Sequence, residues 1–168
     1  TFTCDAGFTT DGTAGGATSF DVTGDAAGGQ SDYGECLPVQ CGTPPRVQNS
    51  LGSQETQVYP NKVTYACKDG YSINGNVTGN KTFDVSCTAD GTFVGAKSCM
   101  PISCGKPEHV SHSLMTMREI FYNQQYQVIC ETGYTVDHIP HGESTFTVTC
   151  AASGSFVGVQ QCLPVTCG

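Results

Sequence analysis

The sequence contains no tryptophan and few positive charges. Seven Lys and Arg residues face 15 Asp and Glu residues, which gives a formal net charge of −8. Nucleic acids, heparin-like polyanions and anionic membranes all bind clustered positive charge. The composition therefore argues against those ligands, and we interpret the acidity as a solubility feature. Residues 1–40 have no Lys or Arg, and their acidic residues are Asp5, Asp11, Asp21, Asp25, Asp32 and Glu35.

The chain also lacks long apolar runs and helical periodicity. No apolar run approaches the ~20 residues that a membrane-spanning helix needs, and no segment combines helical spacing with capping residues. Gly, Asn, Asp and Pro separate short runs in which apolar and polar residues alternate, the pattern of half-buried strands. The fold class is therefore predicted to be all-β. The alternating runs are residues 63–67, 83–85, 126–130 and 146–148.

Motifs for catalysis are missing too. The sequence has no Gly-x-Ser-x-Gly, no His-Glu-x-x-His and no phosphate-cradling glycine loop, so we predict neither an enzyme nor a cofactor. The four histidines form two i, i+3 pairs, for which a zinc site is conceivable. Residues i and i+3 of a strand point to opposite faces, so we favour solvated loop histidines and predict no metal site. The pairs are His109 with His112 and His138 with His141.

Cysteines, in contrast, are abundant and periodic. Seven of the 11 recur at one fixed offset, as Cys4 does at Cys67, which predicts tandem modules, each stapled by its own disulfides. The predicted modules are residues 1–40 (a second half, without first and third cysteines), 41–103, 104–166 and the start of another at 167–168. Modules of about 60 residues usually need staples, and disulfides require an oxidising compartment. We therefore expect an extracellular protein, secreted or at the cell surface, with its signal upstream of Thr1.

Other residues repeat with the cysteines. A Cys-Gly-x-Pro start recurs at Cys41 and Cys104, a Cys-x-x-Gly-Tyr centre at Cys67 and Cys130, and Gly-x-Phe-Val-Gly before each last cysteine. These blocks resemble the sushi, or complement control protein, module over the whole chain. The family usually has Trp where this chain has Phe93 and Phe156, and Phe can fill the same core position. The Phe variant and the Cys-x-Pro-x-x-Cys-Gly junctions resemble sushi arrays of protist surface proteins.

The resemblance implies a disulfide pairing of first to third and second to fourth cysteine. The partial module supports it, because Gly24 replaces the third cysteine there, and Cys4 and Cys36 keep partners only if they pair with each other. Gly24 is either natural or a change that accompanied loss of the first cysteine. Cys167 begins a further module or makes an inter-module or interchain bond. The implied pairs in the complete modules are Cys41–Cys87, Cys67–Cys99, Cys104–Cys150 and Cys130–Cys162.

Only a short connection separates one module from the next, and each connection contains Pro. Such short connections restrict motion between modules. We therefore expect small β-sandwich-like sushi modules arranged end to end as a semi-rigid rod. The first residues of the connections, Leu37, Met100 and Leu163, are predicted to pack between neighbouring modules.

Two further features indicate possible surface sites. Asn76 and Asn80 each begin a glycosylation sequon in a turn-rich segment. Met115, Met117 and Phe121 lie in an apolar segment that could bind a partner. The alternative for this segment is a variable loop plus a core strand, in which case replacing Met115 and Met117 by Ala would cost stability instead of binding.

The sequence therefore predicts a non-catalytic segment of a larger extracellular protein. The leading hypothesis is a scaffold, adhesion or filament-forming spacer whose partners are neighbouring modules, other copies or a surface ligand. A receptor or complement-regulator-like segment that binds one protein ligand is the second hypothesis. The non-catalytic arm of a secreted protease is the third.

Overall fold

The computed structural model describes residues 1–24, 26–29 and 33–166, and these residues form short β-strands without any helix. The all-β prediction is confirmed. Nowhere in the described ranges is there a helix long and apolar enough to span a bilayer. Asp25, Asp32 and Cys167, together with the predicted module start at 167–168, lie outside the described residues.

The chain packs as two compact units. One consists of Thr1–Ala66 and Thr82–Ser98, and the other of Cys67–Lys81 and Cys99–Gly168. The first unit contains the connection at residues 37–40 with sequences on both sides of it, and the second unit contains the connection at residues 100–103 in the same way. The contacts that surround a connection therefore lie within a single unit.

The strands follow the period of the cysteines. Those of residues 1–40 are β1 (Phe2–Thr3), β2 (Phe8–Thr9), β3 (Ser19–Phe20) and β4 (Leu37–Pro38). Next come β5 (Gln40–Gly42), β6 (Ser50–Leu51), β7 (Gln57–Val58), β8 (Lys62–Cys67), β9 (Tyr71–Ser72), β10 (Thr82–Cys87), β11 (Phe93–Val94) and β12 (Met100–Pro101). The last are β13 (Ser103–Gly105), β14 (Ser113–Leu114), β15 (Ile120–Phe121), β16 (Gln125–Cys130), β17 (Tyr134–Thr135), β18 (Thr145–Cys150), β19 (Phe156–Val157) and β20 (Leu163–Pro164).

A four-stranded antiparallel sheet, in the order β14-β16-β18-β19, carries the core of residues 104–166. Val128 pairs with Phe146 across β16 and β18, and both are buried, whereas the next pair, Gln127 and Thr147, is exposed. This is the alternation that a strand with one buried face requires. Phe156, the residue at the usual Trp position, packs against this core.

The equivalent sheet of residues 41–103 has the order β11-β10-β8-β6. Its inner face contains the stacked rings of Tyr65 and Phe83, whose centroids are 5.3 Å apart. On its outer face Lys62 Nζ lies 2.6 Å from a carboxylate oxygen of Asp84. The hydrogen bonds of Lys62 and Thr64 to Asp84 lower the pKa of that exposed carboxyl.

Disulfides hold each repeat together. They close sequence separations of 32 and 46 residues, and loops of that size contribute up to about 4 kcal/mol each in the chain-entropy account. Residues 1–40 have one bridge, and exposed Gly24 occupies the place of a third cysteine. The disulfides are Cys4–Cys36, Cys41–Cys87, Cys67–Cys99, Cys104–Cys150 and Cys130–Cys162.

Candidate functional site

The first connection, residues 37–40, is hydrogen-bonded to the module before it. Strand β4 pairs with β2, in the register Phe8 with Pro38. Val39 N then donates to Gly7 O at 2.9 Å, and Gln40 N donates to Gly12 O at 2.9 Å. The connection is thus part of the module and not a free tether.

The second connection, residues 100–103, repeats this arrangement in the other unit. Strand β12 pairs with β9. Ile102 N donates to Gly70 O at 2.8 Å, and Ser103 N donates to Gly75 O at 2.9 Å. Because the pattern recurs at equivalent residues, it is a property of the repeat.

The module that follows each connection is bonded to it as well. Tyr59 N donates to Val39 O at 2.8 Å, and Tyr122 N donates to Ile102 O at 2.7 Å. Strand β5 continues the first connection and pairs with β7, while β13 continues the second and pairs with β15. Each connection therefore has backbone hydrogen bonds to both of the modules it joins.

Tyrosine rings from the following modules pack directly over glycines of the preceding ones. A Cβ on Gly7 would lie 2.2 Å from Cδ1 of Tyr59, and a Cβ on Gly70 would lie 2.3 Å from Cδ1 of Tyr122. Real Cβ atoms do not approach that closely, so only glycine leaves room for the ring. Both glycines also have positive φ, 85° and 82°, which disfavours a side chain independently.

The tyrosine rings also meet aromatic neighbours. The ring of Tyr59 lies edge-on to Phe8 with centroids 6.0 Å apart, and Tyr122 lies edge-on to Tyr71 at 5.5 Å. Such edge-to-face pairs are favourable beyond the area they bury. A second loop of each following module approaches through a glycine: a Cβ on Gly91 would lie 2.8 Å from Ala14 Cβ, and one on Gly154 would lie 3.3 Å from Val77 Cβ.

We call the surface of the preceding module the socket. It combines a glycine, an aromatic ring, a loop residue and the third residue of the connection. The first socket is Gly7, Phe8, Ala14 and Val39, and the second is Gly70, Tyr71, Val77 and Ile102.

The buried residue of each connection is not the one expected from the sequence. Val39 and Ile102 are only 2% and 0% exposed, whereas Leu37 and Met100 are 38% and 44% exposed. The side chains of Leu37 and Met100 lie near Gly12 and Gly75 of their own modules. The prediction that Leu37 and Met100 pack between modules is therefore wrong, and the third residue has that role.

The last residue of each connection donates its backbone N–H to a carbonyl that lies in an Asx turn. These carbonyls are Gly12 O, Gly75 O and His138 O. Asp11 Oδ1 accepts hydrogen bonds from Thr13 N at 3.0 Å and Thr13 Oγ1 at 2.8 Å. The first of these bonds is the main cause that lowers the pKa of the exposed Asp11 carboxyl. Asn74 accepts from Asn76 N in the same way, and Asp137 from Ile139 N, both at 3.1 Å.

The histidines have local roles in the structure. The ring of His112 stacks on Tyr134 with centroids 4.1 Å apart, and its Nδ1 lies 3.8 Å from an oxygen of Glu131. His138 Nδ1 lies 3.2 Å from Pro164 O. Among the described residues, no group of three or more His, Cys, Asp or Glu side chains could hold a metal ion.

The predicted surface residues are placed as follows. Asn76 and Asn80 are both exposed in the turn between β9 and β10. Met115 packs against the core cluster around Val128, and its sulfur accepts a hydrogen bond from Val110 N at 3.4 Å. Met117 is exposed and Phe121 is half-buried in β15.

The outer face of the sheet in residues 104–166 differs in its side chains from the outer face of the sheet in residues 41–103. Leu114 and Ile129 lie opposite each other on β14 and β16, and both are exposed. The neighbouring pairs on β16 and β18 carry Gln and Thr. These strand pairs are therefore uncharged, although Glu143 accepts a hydrogen bond from Thr145 and Glu131 lies near His112 beside them. The equivalent face of β8 and β10 carries the Lys62–Asp84 ion pair. The pairs of β16 and β18 are Ile129–Thr145, Gln127–Thr147 and Gln125–Thr149.

Comparisons with known proteins agree with this architecture. Residues 41–99 match the family model of the Sushi repeat (SCR repeat). The chain is 32% identical over 149 residues to the rat (Rattus norvegicus) "Sushi, von Willebrand factor type A, EGF and pentraxin domain-containing protein 1", which covers 88% of the chain and 4% of that protein. It is 27% identical over 139 residues to bovine (Bos taurus) complement factor H, covering 80% of the chain and 10% of factor H.

A third relative is the GPI-anchored complement decay-accelerating factor of mouse (Mus musculus), 28% identical over 105 residues. That match covers 61% of the chain and 25% of the mouse protein. The chain thus spans a quarter or less of each of these relatives. The repeated cysteine framework, the all-β modules and these matches together show that the chain belongs to the sushi, or complement control protein, family.

Proposed function

We propose that the chain is a non-catalytic segment of a larger secreted or cell-surface protein, in which tandem sushi modules form a scaffold. The scaffold spaces and presents neighbouring domains and makes adhesive protein–protein contacts. Membership in the sushi family supports the coarser part of this proposal, an extracellular protein-binding module.

The observation that carries the scaffold role is the repeated junction. Tyr59 over Gly7 and Tyr122 over Gly70 use the same packing and the same hydrogen bonds. A connection that is bonded to the modules on both sides resists bending, because bending would expose Val39 or Ile102 and leave buried backbone groups without partners. Resistance to bending is what a spacer requires.

The uncharged strand pairs on the outer face of residues 104–166 favour a second candidate, a receptor-like or regulator-like segment that binds one protein ligand. Exposed Leu114 and Ile129 form an apolar pair beside Gln and Thr side chains. Protein interfaces characteristically have a core depleted of charge. Two of the relatives are named as complement proteins, factor H and decay-accelerating factor.

One substitution pair separates the two candidates. Leu51 and Leu114 occupy equivalent positions and are 66% and 62% exposed, so Leu51→Asp is a matched control for Leu114→Asp. Beads coated with the wild-type chain or either variant are tested against an array of immobilised extracellular proteins. The scaffold proposal predicts the same adhesion profile for all three. A loss of about tenfold or more in one interaction, confined to Leu114→Asp, would establish the receptor-like function instead.

A further inference from the structure

One dipeptide of the chain combines reactivity with a role in a connection. Asn74 is followed by Gly75, and the sequence has no other asparagine before a glycine. A glycine N–H is the least hindered backbone nucleophile toward the side-chain amide before it, because no Cβ shields it. Gly75 O also accepts the hydrogen bond of 2.9 Å from Ser103 N that holds the end of residues 100–103. A reaction at Gly75 N therefore affects this connection.

The turn at Asn74 folds the side-chain amide back along the main chain. Asn74 Oδ1 accepts hydrogen bonds from Asn76 N at 3.1 Å and from Ser72 Oγ at 3.3 Å, which makes an Asx turn. The same amide lies over Gly79, where a Cβ would collide with it. Donors that point at a carbonyl oxygen stabilise the negative charge that it acquires when its carbon is attacked. The turn therefore favours attack of Gly75 N on Asn74 Cγ.

The equivalent turns of the other two repeats contain aspartate. Asp11 Oδ1 accepts from Thr13 N at 3.0 Å, and Asp137 Oδ1 accepts from Ile139 N at 3.1 Å. These bonds are the main cause that lowers the pKa of both carboxyls, because they stabilise the charged form. The turn therefore accommodates a carboxylate in place of the Asn74 amide. A carboxylate is itself a poor electrophile, so the second of the three turns is the reactive one.

We propose that Asn74 is a site of spontaneous deamidation, with Gly75 N as the nucleophile and solvent water as the co-reactant. A bond forms between Gly75 N and Asn74 Cγ, and the proton of Gly75 N passes to solvent. The bond from Cγ to Nδ2 then breaks, and ammonia leaves a cyclic imide. Water opens the imide in one of two ways. Cleavage of the new N–Cγ bond gives aspartate, and cleavage between this nitrogen and the main-chain carbonyl carbon gives isoaspartate.

The two products have different effects on the connection. Aspartate restores the original backbone and gives the turn that the other two repeats already have. Isoaspartate adds a methylene to the main chain directly before Gly75, which moves Gly75 O away from Ser103 N. Both products add one negative charge, and isoaspartate also loosens the hydrogen bonding of residues 100–103. The proposal concerns the chemistry of this turn, goes beyond the scaffold function and does not depend on it.

The test incubates the whole chain at neutral pH and follows every asparagine by peptide mapping with fragmentation. Asn76→Gln and Asn80→Gln remove both sequons, so that enzymatic glycan release cannot create aspartate beside the site. The first of these changes keeps the backbone N–H that Asn74 Oδ1 accepts. The expected result is that Asn74 converts about tenfold or more faster than the remaining asparagines, with both aspartate and isoaspartate among the products.

A second readout follows the connection itself. The two deamidated forms are separated by chromatography, and hydrogen exchange of the Ser103 amide is measured in each. The isoaspartate form should exchange about tenfold or more faster than the unreacted chain, and the aspartate form should keep the original rate. The Gln40 amide, which donates to Gly12 O at 2.9 Å in the first connection, is the internal standard. Slow exchange of the β16 and β18 amides shows that the sheet remains folded.

Substitutions in the three turns supply matched controls. Asn74→Asp should abolish the reaction and preserve the turn. Asp11→Asn places an asparagine before Gly12 in the same kind of turn and should create a second deamidation site. Asp137→Asn places one before His138, whose side chain hinders the attacking N–H, and that asparagine should react about tenfold or more slowly than Asn74.

Conversion of Asn74 no faster than that of the other asparagines would overturn the proposal, as would an Asp11→Asn chain that stays unreacted at that position. Formation of aspartate alone would overturn the loosening of the connection, and so would an isoaspartate form whose Ser103 amide exchanges at the original rate.

Discussion

Gly52 lacks a side chain in a position where the ring of Tyr65 needs the space. A Cβ there would lie 2.6 Å from Cδ1 of Tyr65, which is buried, stacks on Phe83 and donates from its hydroxyl to Pro45 O at 2.6 Å. At the two equivalent positions of the next module, the chain has Met115 and Val128, which pack in one cluster. One module combines a small residue, Gly52, with a large one, Tyr65. The next combines a large residue, Met115, with a smaller one, Val128, so the volume of the core is approximately kept.

This exchange predicts a compensating pair of substitutions. Gly52→Met alone should destabilise residues 41–103 by about 1–3 kcal/mol through overpacking. Tyr65→Val alone should cost about 3 kcal/mol, because it leaves a cavity and an unpaired carbonyl. The double variant should recover about 1 kcal/mol or more relative to the sum of the two. Hydrogen exchange of the β8 and β10 amides measures these effects, and strict additivity would contradict the account.

The same comparison explains why Met115 and Met117 were predicted to lie in one partner-binding segment. The two are near neighbours in the chain and chemically identical, and nothing in their spacing distinguishes them. Their difference comes from Val128, whose small side chain leaves space that Met115 fills. That partner is on another strand, so local patterns do not identify it. Within the proposed partner segment, Met117 is the methionine that remains exposed.

At the scale of the elements, the six-residue strands were predictable and the two-residue strands were not. Strands β8, β10, β16 and β18 alternate buried and exposed residues over enough length to show a period of two,. Strands such as β4 and β12 have only two residues, which is too short for any periodicity. Their pairing with β2 and β9 was therefore missed, and with it the way in which the connections are held.

The turn between β9 and β10 provides a test of glycosylation. Asn76 and Asn80 are exposed, and Ile73 N donates to Asn80 O at 2.8 Å, so the backbone holds the turn without either side chain. We expect both sites to carry a glycan when the chain is secreted from a glycosylating eukaryotic host. Intact mass should fall on enzymatic deglycosylation, and Asn76→Gln and Asn80→Gln should each remove one glycan. An unchanged mass after deglycosylation would contradict this expectation.

At the scale of the whole molecule, the cysteine framework and the contacts at the junctions recur with the same sequence period. The cysteine spacing predicts module boundaries at the connections, and the Cys-x-x-Gly motif contains the glycine over which the tyrosine ring packs. The residue of the connection that is buried was predicted wrongly, because apolar character alone does not distinguish Leu37 from Val39. Tyr59, whose backbone N–H donates to Val39 O, belongs to the next module, and a contact between residues so far apart in the chain depends on the fold of that module.

The central claim is that packing of the Tyr122 ring over Gly70 stabilises the hydrogen bonds of the connection at residues 100–103. Gly70→Ala and Gly133→Ala impose similar backbone strain, since the two glycines have φ of 82° and 90°, but only Gly70 lies under a ring. The most direct test is the hydrogen-exchange rate of the Tyr122 amide, which donates to Ile102 O, in the wild type and both variants. Gly70→Ala should raise that rate by about tenfold or more, and Gly133→Ala should leave it unchanged. No change with Gly70→Ala, or an equal rise with Gly133→Ala, would contradict this claim.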